Sequence, residues 1–287
     1  MRWTGLLILG LVFIGACDGP PPAPAQRKLN ILATVYPLGD MARQIGGDAV
    51  EVTWIVESGQ SIGNISATGE VHDRLNSADL VLTGGATEPW ATQGFSDPFQ
   101  HGRLVRLDVL QSAREQTDGG LLWLDPVIMH EACRELGARL QVLRSDNYSE
   151  FQKRMDDYSA QIDATFQPYQ RKLLAPQQRK LIVLSSDFLP FLKRLGLEGI
   201  NSVSARPTDL DDSDIRRLKQ VAQQEKTTLL ILPADIPAIV VQDIEHRSGL
   251  QAVVLDALGS SAGGGRNTYL DLLKFNLEQL LRATTIQ

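Results

Sequence analysis

The chain has 287 residues, 43% hydrophobic and 22% charged, with a formal net charge of −6. That length allows one large or two medium domains with a sizeable core, and the composition is that of an ordinary globular protein. The acidic balance comes with no dense basic run and no aromatic-interleaved basic patch, which argues against nucleic acid as a partner.

At the N-terminus Arg2 is followed by "LLILGLVFIGA". This apolar stretch has the length of a signal peptide and is too short to span a bilayer comfortably. It runs into Ile14-Gly15-Ala16-Cys17, which resembles the lipobox of bacterial lipoproteins, where cleavage leaves Cys17 as the acylated N-terminus. The alternative is an ordinary signal peptide with a chance cysteine. The following "DGPPPAPAQRK" weighs against it, because its Pro-rich composition suits an extended spacer between an anchor and a domain. Residues 1–16 are therefore expected to be a lipoprotein signal peptide and 17–28 an anchored tether. Cleavage takes away Arg2 alone, moving the net charge from −6 to −7. Cys133 would be the remaining cysteine, so no intramolecular disulfide can form even at an extracytoplasmic address. It reads as a core residue.

From Lys28 the elements alternate. "KLNILATVYPL" reads as a buried strand, "GDMARQIGGD" as a short helix and "VEVTWIV" as a second strand. The loop "SGQSIGNISAT", Ser58 to Thr68, then leaves a strand end and enters the helix "HDRLNSA". A strand "DLVLTGG", a helical turn "EPWATQGF" and a strand "RLVRLDV" follow, giving a parallel α/β lobe over residues 29–124. Between Asp125 and Leu174 the pattern changes. Met129, Cys133, Leu136, Leu140 and Leu143 recur at helical spacing, and "SEFQKRMDDYSAQIDATFQPYQRKLL" continues as a long amphipathic helix, a spine over residues 125–175. Some twenty helical residues reach roughly 30 Å, about one domain diameter.

Residues 176–287 return to alternation, with strands in "KLIVLSS", "TTLLILP" and "QAVVLDALG" and helices in "DFLPFLKRLGL", "DSDIRRLKQVAQQEK", "PAIVVQDIEHRSG" and "TYLDLLKFNLEQLLRA". The Gly-rich "GSSAGGGRN" lacks the order of a phosphate loop and reads as a flexible loop before the last helix. "DLDDSD" lacks the Gly and distal Glu of a calcium loop, and capping of the helix from Ser213 explains it better. The expected fold class is α/β: two parallel-sheet lobes joined by a long backbone helix, with a cleft between them.

That order resembles the cluster A-I solute-binding proteins of zinc and manganese ABC importers. "ILATVYPLGDMARQIGGDAVEVTWIV" is similar to the family's opening strand, "YPL" turn and "IGGD" helix end. "SADLVLTGGATEPW" resembles its "ADLVIYNG" strand with the following Glu and Trp, and "LLWLDP" its "HIWLDP". In the second lobe "LIVLSSDFLPFLKRLGLEGI", "ARPTDLDDSDIRRL", "VVLDALG" and "YLDLLKFNLEQL" resemble family elements in the same order. The resemblance implies an extracytoplasmic binding lipoprotein, anchored through Cys17, monomeric, working with an ABC importer permease, and carrying Zn2+ or Mn2+ as cargo.

It also implies a cation held by four side chains, typically three His, one replaced by Glu in manganese binders, and an Asp. Set beside "GADPHDYEPT", the loop "GQSIGNISAT" places Gly63 at the first ligand. The second falls at Leu121, the third at Ser185, and the fourth survives as Asp256. A zinc site needs three or four N, O or S donors, so one carboxylate leaves no specific site of the family's type.

The four histidines do not rebuild it by spacing. His72 falls on a helix face, and His101, His130 and His246 are scattered. Asp187, Asp235 and Glu88 remain as oxygen donors that could line the cleft, and Asp187, Asp235 and Asp256 together would favour a hard cation over zinc. Otherwise Ser61, Asn64, Ser185, Ser186 and Asp256 offer hydrogen bonds to a small polar solute or a metal chelate. A degenerate paralogue that contacts a partner protein fits the same substitutions. An enzyme does not, since the sequence holds no GxSxG, no HExxH and no Cys-His arrangement.

Overall fold

The computed structural model describes residues 27–56, 60, 62, 65–66, 68–92, 102–114, 116, 119–173, 178–203, 205–259 and 265–285. Cys17, with the signal segment and most of the tether, lies outside them, as do Ser61, Gly63, Asn64 and His101.

The first lobe runs β1 (Leu29–Val35), α1 (Tyr36–Gly46), β2 (Val50–Val56), α2 (Gly69–Ser77), β3 (Leu80–Thr83), α3 (Pro89–Thr92) and β4 (Leu104–Arg106). Its parallel sheet has the order β2-β1-β3-β4, with Ile31 opposite both Val52 and Leu80. β1 was expected to reach Leu38, but it ends at Val35 and the helix starts at Tyr36. Pro37 causes the difference: its fixed φ and missing N–H suit the first helical turn, not a ladder.

The spine is two helices, α4 (Pro126–Leu143) and α5 (Tyr148–Leu173), separated by a 3-10 turn at Ser145–Asn147. Asp125 caps α4 by accepting the Val127 N–H at 2.9 Å. The second lobe runs β5 (Lys180–Val183), α6 (Leu189–Arg194), β6 (Glu198–Asn201), α7 (Asp212–Glu225), β7 (Leu229–Pro233), α8 (Ala238–Ser248), β8 (Gln251–Leu255) and α9 (Tyr269–Thr285). Its parallel sheet, in the order β6-β5-β7-β8, repeats the connectivity of the first. β6 was not expected from the sequence. It is an edge strand, "EGIN", whose glycine and polar ends give no apolar run to read. Asp211 and Asp214 form a reciprocal capping box on α7, which accounts for "DLDDSD".

Side-chain alternation along the strands sets which face meets which layer. Leu181 and Val183 of β5 join a core that runs from α1 and β1 through α4, α5 and α9, whereas Ile182 faces a separate cluster with Leu218 and Ile244 under α7 and α8. One continuous apolar core thus lies beneath both lobes. Cys133 is fully buried in it, as expected. Among the described residues no helix is long and apolar enough to cross a membrane.

Candidate functional site

In each sheet the strand order reverses about its first strand, and in such sheets ligands bind beyond the carboxyl ends at that switch. The two crevices face each other and form a cleft of about 510 Å³. The first lobe contributes Gln60, Ile62, Thr87, Gly120 and Leu121. From the second lobe come Ser186, Asp187 and Phe188 after β5, Ala234 and Asp235 after β7, and Asp256, Leu258 and Arg266 around the end of β8.

Asp256 is fixed on every side. Its backbone N–H donates to Asn276 Oδ1 at 2.8 Å and its carbonyl accepts from Asn276 Nδ2 at 2.7 Å, so the buried Asn276 of α9 sets the strand end. Carboxylate Oδ1 accepts the N–H groups of Leu258 and Gly259, each at 3.0 Å. Oδ2 accepts from Arg266 Nε at 2.5 Å. The Arg266 guanidinium lies over the Phe275 ring, 4.6 Å from its centroid.

Leu121, 4% exposed, presents an apolar side chain to the cleft. Its N–H donates across the lobes to the Asp187 carbonyl at 2.9 Å. The preceding Gly120 has φ of 100°, and a Cβ there would come within 2.4 Å of the Ser186 carbonyl oxygen. Two further contacts fasten the lobes: Trp123 Nε1 donates to the Ala257 carbonyl at 2.8 Å, and Arg194 pairs with the fully buried Asp125. Burial pushes the Asp125 carboxyl above its ordinary range, against the opposing pull of Arg194.

Of the candidate residues, Ser186, Asp187, Asp235 and Asp256 line the cleft with Leu121. Burial first, and nearby Asp235 second among the raising causes, push the Asp187 carboxyl up, while a hydrogen bond with Ser185 draws it down. Ser185 departs from expectation: it opens onto an adjoining hollow with Arg206 and Pro207, which shares Asp187 with the cleft. Ser185 lies in a bend two residues beyond the end of β5, where the alternation of the strand no longer sets side-chain direction.

Glu88 also departs from expectation. It is 0% exposed and lies beneath β1 and β3, where Oε2 accepts from Thr34 Oγ1 at 2.8 Å, Thr83 Oγ1 at 2.6 Å and the Gly84 N–H at 2.6 Å. It ties strand ends together and does not line the cleft. His130 pairs with Asp163 at 3.1 Å on the spine, while His72 and His246 sit on α2 and α8. Among the described residues no three His, Cys, Asp or Glu side chains come together in an arrangement that could hold a metal ion. Asp187, Asp235 and Asp256 share one cleft without forming such a group.

Arg266 is not legible in the sequence as a cleft residue, because it lies within a Gly-rich stretch that reads as a loop before the last helix. The available signal was a lone cation ten positions beyond the one retained acid.

The fold recurs in solved proteins. The metal-dependent lipoprotein YcdH of Bacillus subtilis superposes with a TM-score of 0.77 at 19% identity, over 90% of this chain and 100% of that one. The Zn(II)-bound ZnuA-like domain of Streptococcus pneumoniae AdcA gives 0.77 at 18% identity, over 91% and 100%. By sequence, the high-affinity zinc uptake system protein ZnuA of Bacillus subtilis strain 168 is 20% identical across 97% of each chain. The manganese ABC transporter substrate-binding lipoprotein PsaA of Streptococcus anginosus is 21% identical across 96% of each. The family model for ZnuA, the periplasmic zinc-uptake complex component A, matches residues 31–283, and the chain belongs to that family.

Proposed function

We propose that this chain is the lipid-anchored, extracytoplasmic solute-binding component of an ABC importer of the zinc and manganese type, in which the usual cation tetrad is no longer kept. The observation that carries this reading is Leu121. At the position where the resemblance places a histidine, a buried leucine faces the cleft and binds the opposite lobe through its backbone. Leucine offers no lone pair, and a zinc site with fewer than three protein donors is not a specific one. Gly63 and Ser185, at two other ligand positions, bring no imidazole or carboxylate. Asp256 alone keeps a ligand's chemistry.

The remaining lining supports cargo other than a bare ion. Ser186 and Thr87 offer hydroxyls, Asp187 and Asp235 carboxylates, and Ile62, Phe188 and Leu258 apolar surface. Such a lining suits a small polar solute or a metal chelate that brings its own ligands. Equilibrium dialysis of the metal-stripped chain against zinc or manganese tests the reading. It predicts sub-stoichiometric retention of both; one tightly held ion per chain contradicts it.

A further inference from the structure

We propose that the turn between α4 and α5 is a membrane-docking surface, on which the first lobe rests against the bilayer that holds the chain's own lipid anchor. The proposal rests on the lipid-anchored reading given above and adds how the anchored domain stands.

Three of the six large apolar side chains that stand exposed among the described residues gather at this turn. Val142, 83% exposed, and Leu143, 42%, end α4, and Tyr148, 52%, opens α5. Single exposed apolar residues are ordinary, whereas a group at one tip marks a contact surface. The residue types suit the boundary of a bilayer: two aliphatic side chains can enter it, and a tyrosine ring sits at headgroup level with its hydroxyl in water.

The fold sets this tip at the root of the tether. The Arg144 guanidinium, directly after Leu143, donates to the Arg27 carbonyl, two residues before β1 begins. Lys28 and Arg144 therefore flank the tip, with Asp146 as the acid in the turn, while Arg27 is paired with Asp79 and Arg154 with Glu150. A small positive excess thus surrounds the tip in a chain of net charge −6, and an anionic phospholipid surface meets no repulsion there.

A tip of three side chains would hold a bilayer weakly by itself. Attachment at Cys17 changes this, because the Pro-rich stretch from there to Arg27 extends to roughly 30 Å at most and keeps the tip near the surface. A second contact to a surface already bound is intramolecular, so a weak patch suffices. The opposite ends of the strands carry the cleft. Docking by the tip therefore turns the cleft away from the bilayer, towards the solution from which solute is captured.

The test places a nitroxide label on Val142→Cys and, as a remote control, on Ile239→Cys, which is 70% exposed on α8. Cys133 is fully buried with its thiol pushed up to about 12, so it escapes labelling at neutral pH. The full acylated chain is inserted into vesicles of phosphatidylethanolamine and phosphatidylglycerol, floated, and read for label collisions with oxygen, which concentrates in lipid, and with chromium oxalate, which stays in water. Expected are an oxygen-dominated label at 142 and a chromium-oxalate-dominated label at 239. Adding Leu143→Glu and Tyr148→Glu to the labelled Val142→Cys chain should return its label to water with flotation unchanged. A floated chain whose label at 142 is as wet as that at 239 overturns the docking surface and leaves the anchor standing, as does a label that stays in lipid despite both glutamates. A chain that does not float overturns the anchored reading and the docking surface together.

Discussion

Arg194 Nε lies 2.9 and 2.8 Å from the two carboxylate oxygens of Asp125, joining the first helix of the second lobe to the residue that caps the spine. Asp125 also accepts from Gln116 Nε2 at 3.1 Å and from the Val127 N–H, so a single buried carboxylate serves the cap, the connector and the opposite lobe. Breaking one side of a buried ion pair leaves the other charge without compensation. Asp125→Asn should cost about 3 kcal/mol, a figure at the low end for buried pairs because Arg194 keeps some access to water. Urea unfolding checks it, and a variant as stable as wild type would show that the pair does not fasten the lobes.

Gly120 makes a second fastening possible. Its φ of 100° suits glycine, and the Ser186 carbonyl leaves no space for a Cβ. Gly120→Ala should lose about 2 kcal/mol from backbone strain alone. It should also speed hydrogen exchange at the Leu121 amide, which donates to Asp187 across the cleft. Unchanged exchange there would mean that the contact does not depend on the close approach.

The pH dependence of stability should carry a contribution from Glu88. Burial first, with nearby Asp108 adding to it, raises its carboxyl pKa against hydrogen bonds from Thr83, Thr34 and the Gly84 N–H. The unfolded chain releases this proton near 4.5 while the folded chain holds it to higher pH. The folded state then binds more protons in that interval, so its stability falls as pH rises. Glu88→Gln keeps an oxygen for the same three donors and removes the titration. Melts at a series of pH values should show the variant's midpoint gaining on wild type from about pH 4.5 upwards; a constant difference contradicts this.

Much of the fold was legible because buried strands and amphipathic helices have distinct periods. The run "NILATV" and the spacing of Met129, Cys133, Leu136 and Leu140 each had one consistent reading. β6 was not legible, since an edge strand of four residues with a glycine carries no such period. At the candidate site, Asp256 was legible through the resemblance as the retained ligand position, Asp235 and Asp187 as acids beside other such positions, and all three line the cleft. Ser185 and Glu88 could not be placed, because side-chain direction in the turns that follow β5 and β3 depends on tertiary packing. Asp125 with Arg194, and Asp256 with Arg266, lie 69 and 10 residues apart in the chain, and neither pairing has a spacing that local rules would reveal.

The central claim is that the cleft does not hold a bare cation through the family's tetrad. It is tested most directly by the thermal midpoint of the metal-stripped full chain with and without zinc, manganese, iron and calcium, because a ligand at about 100 times its dissociation constant stabilises by about 2.7 kcal/mol. An unchanged midpoint is expected with each ion. A rise with any of them that disappears in Asp256→Ala would contradict it and make the chain a direct cation receptor.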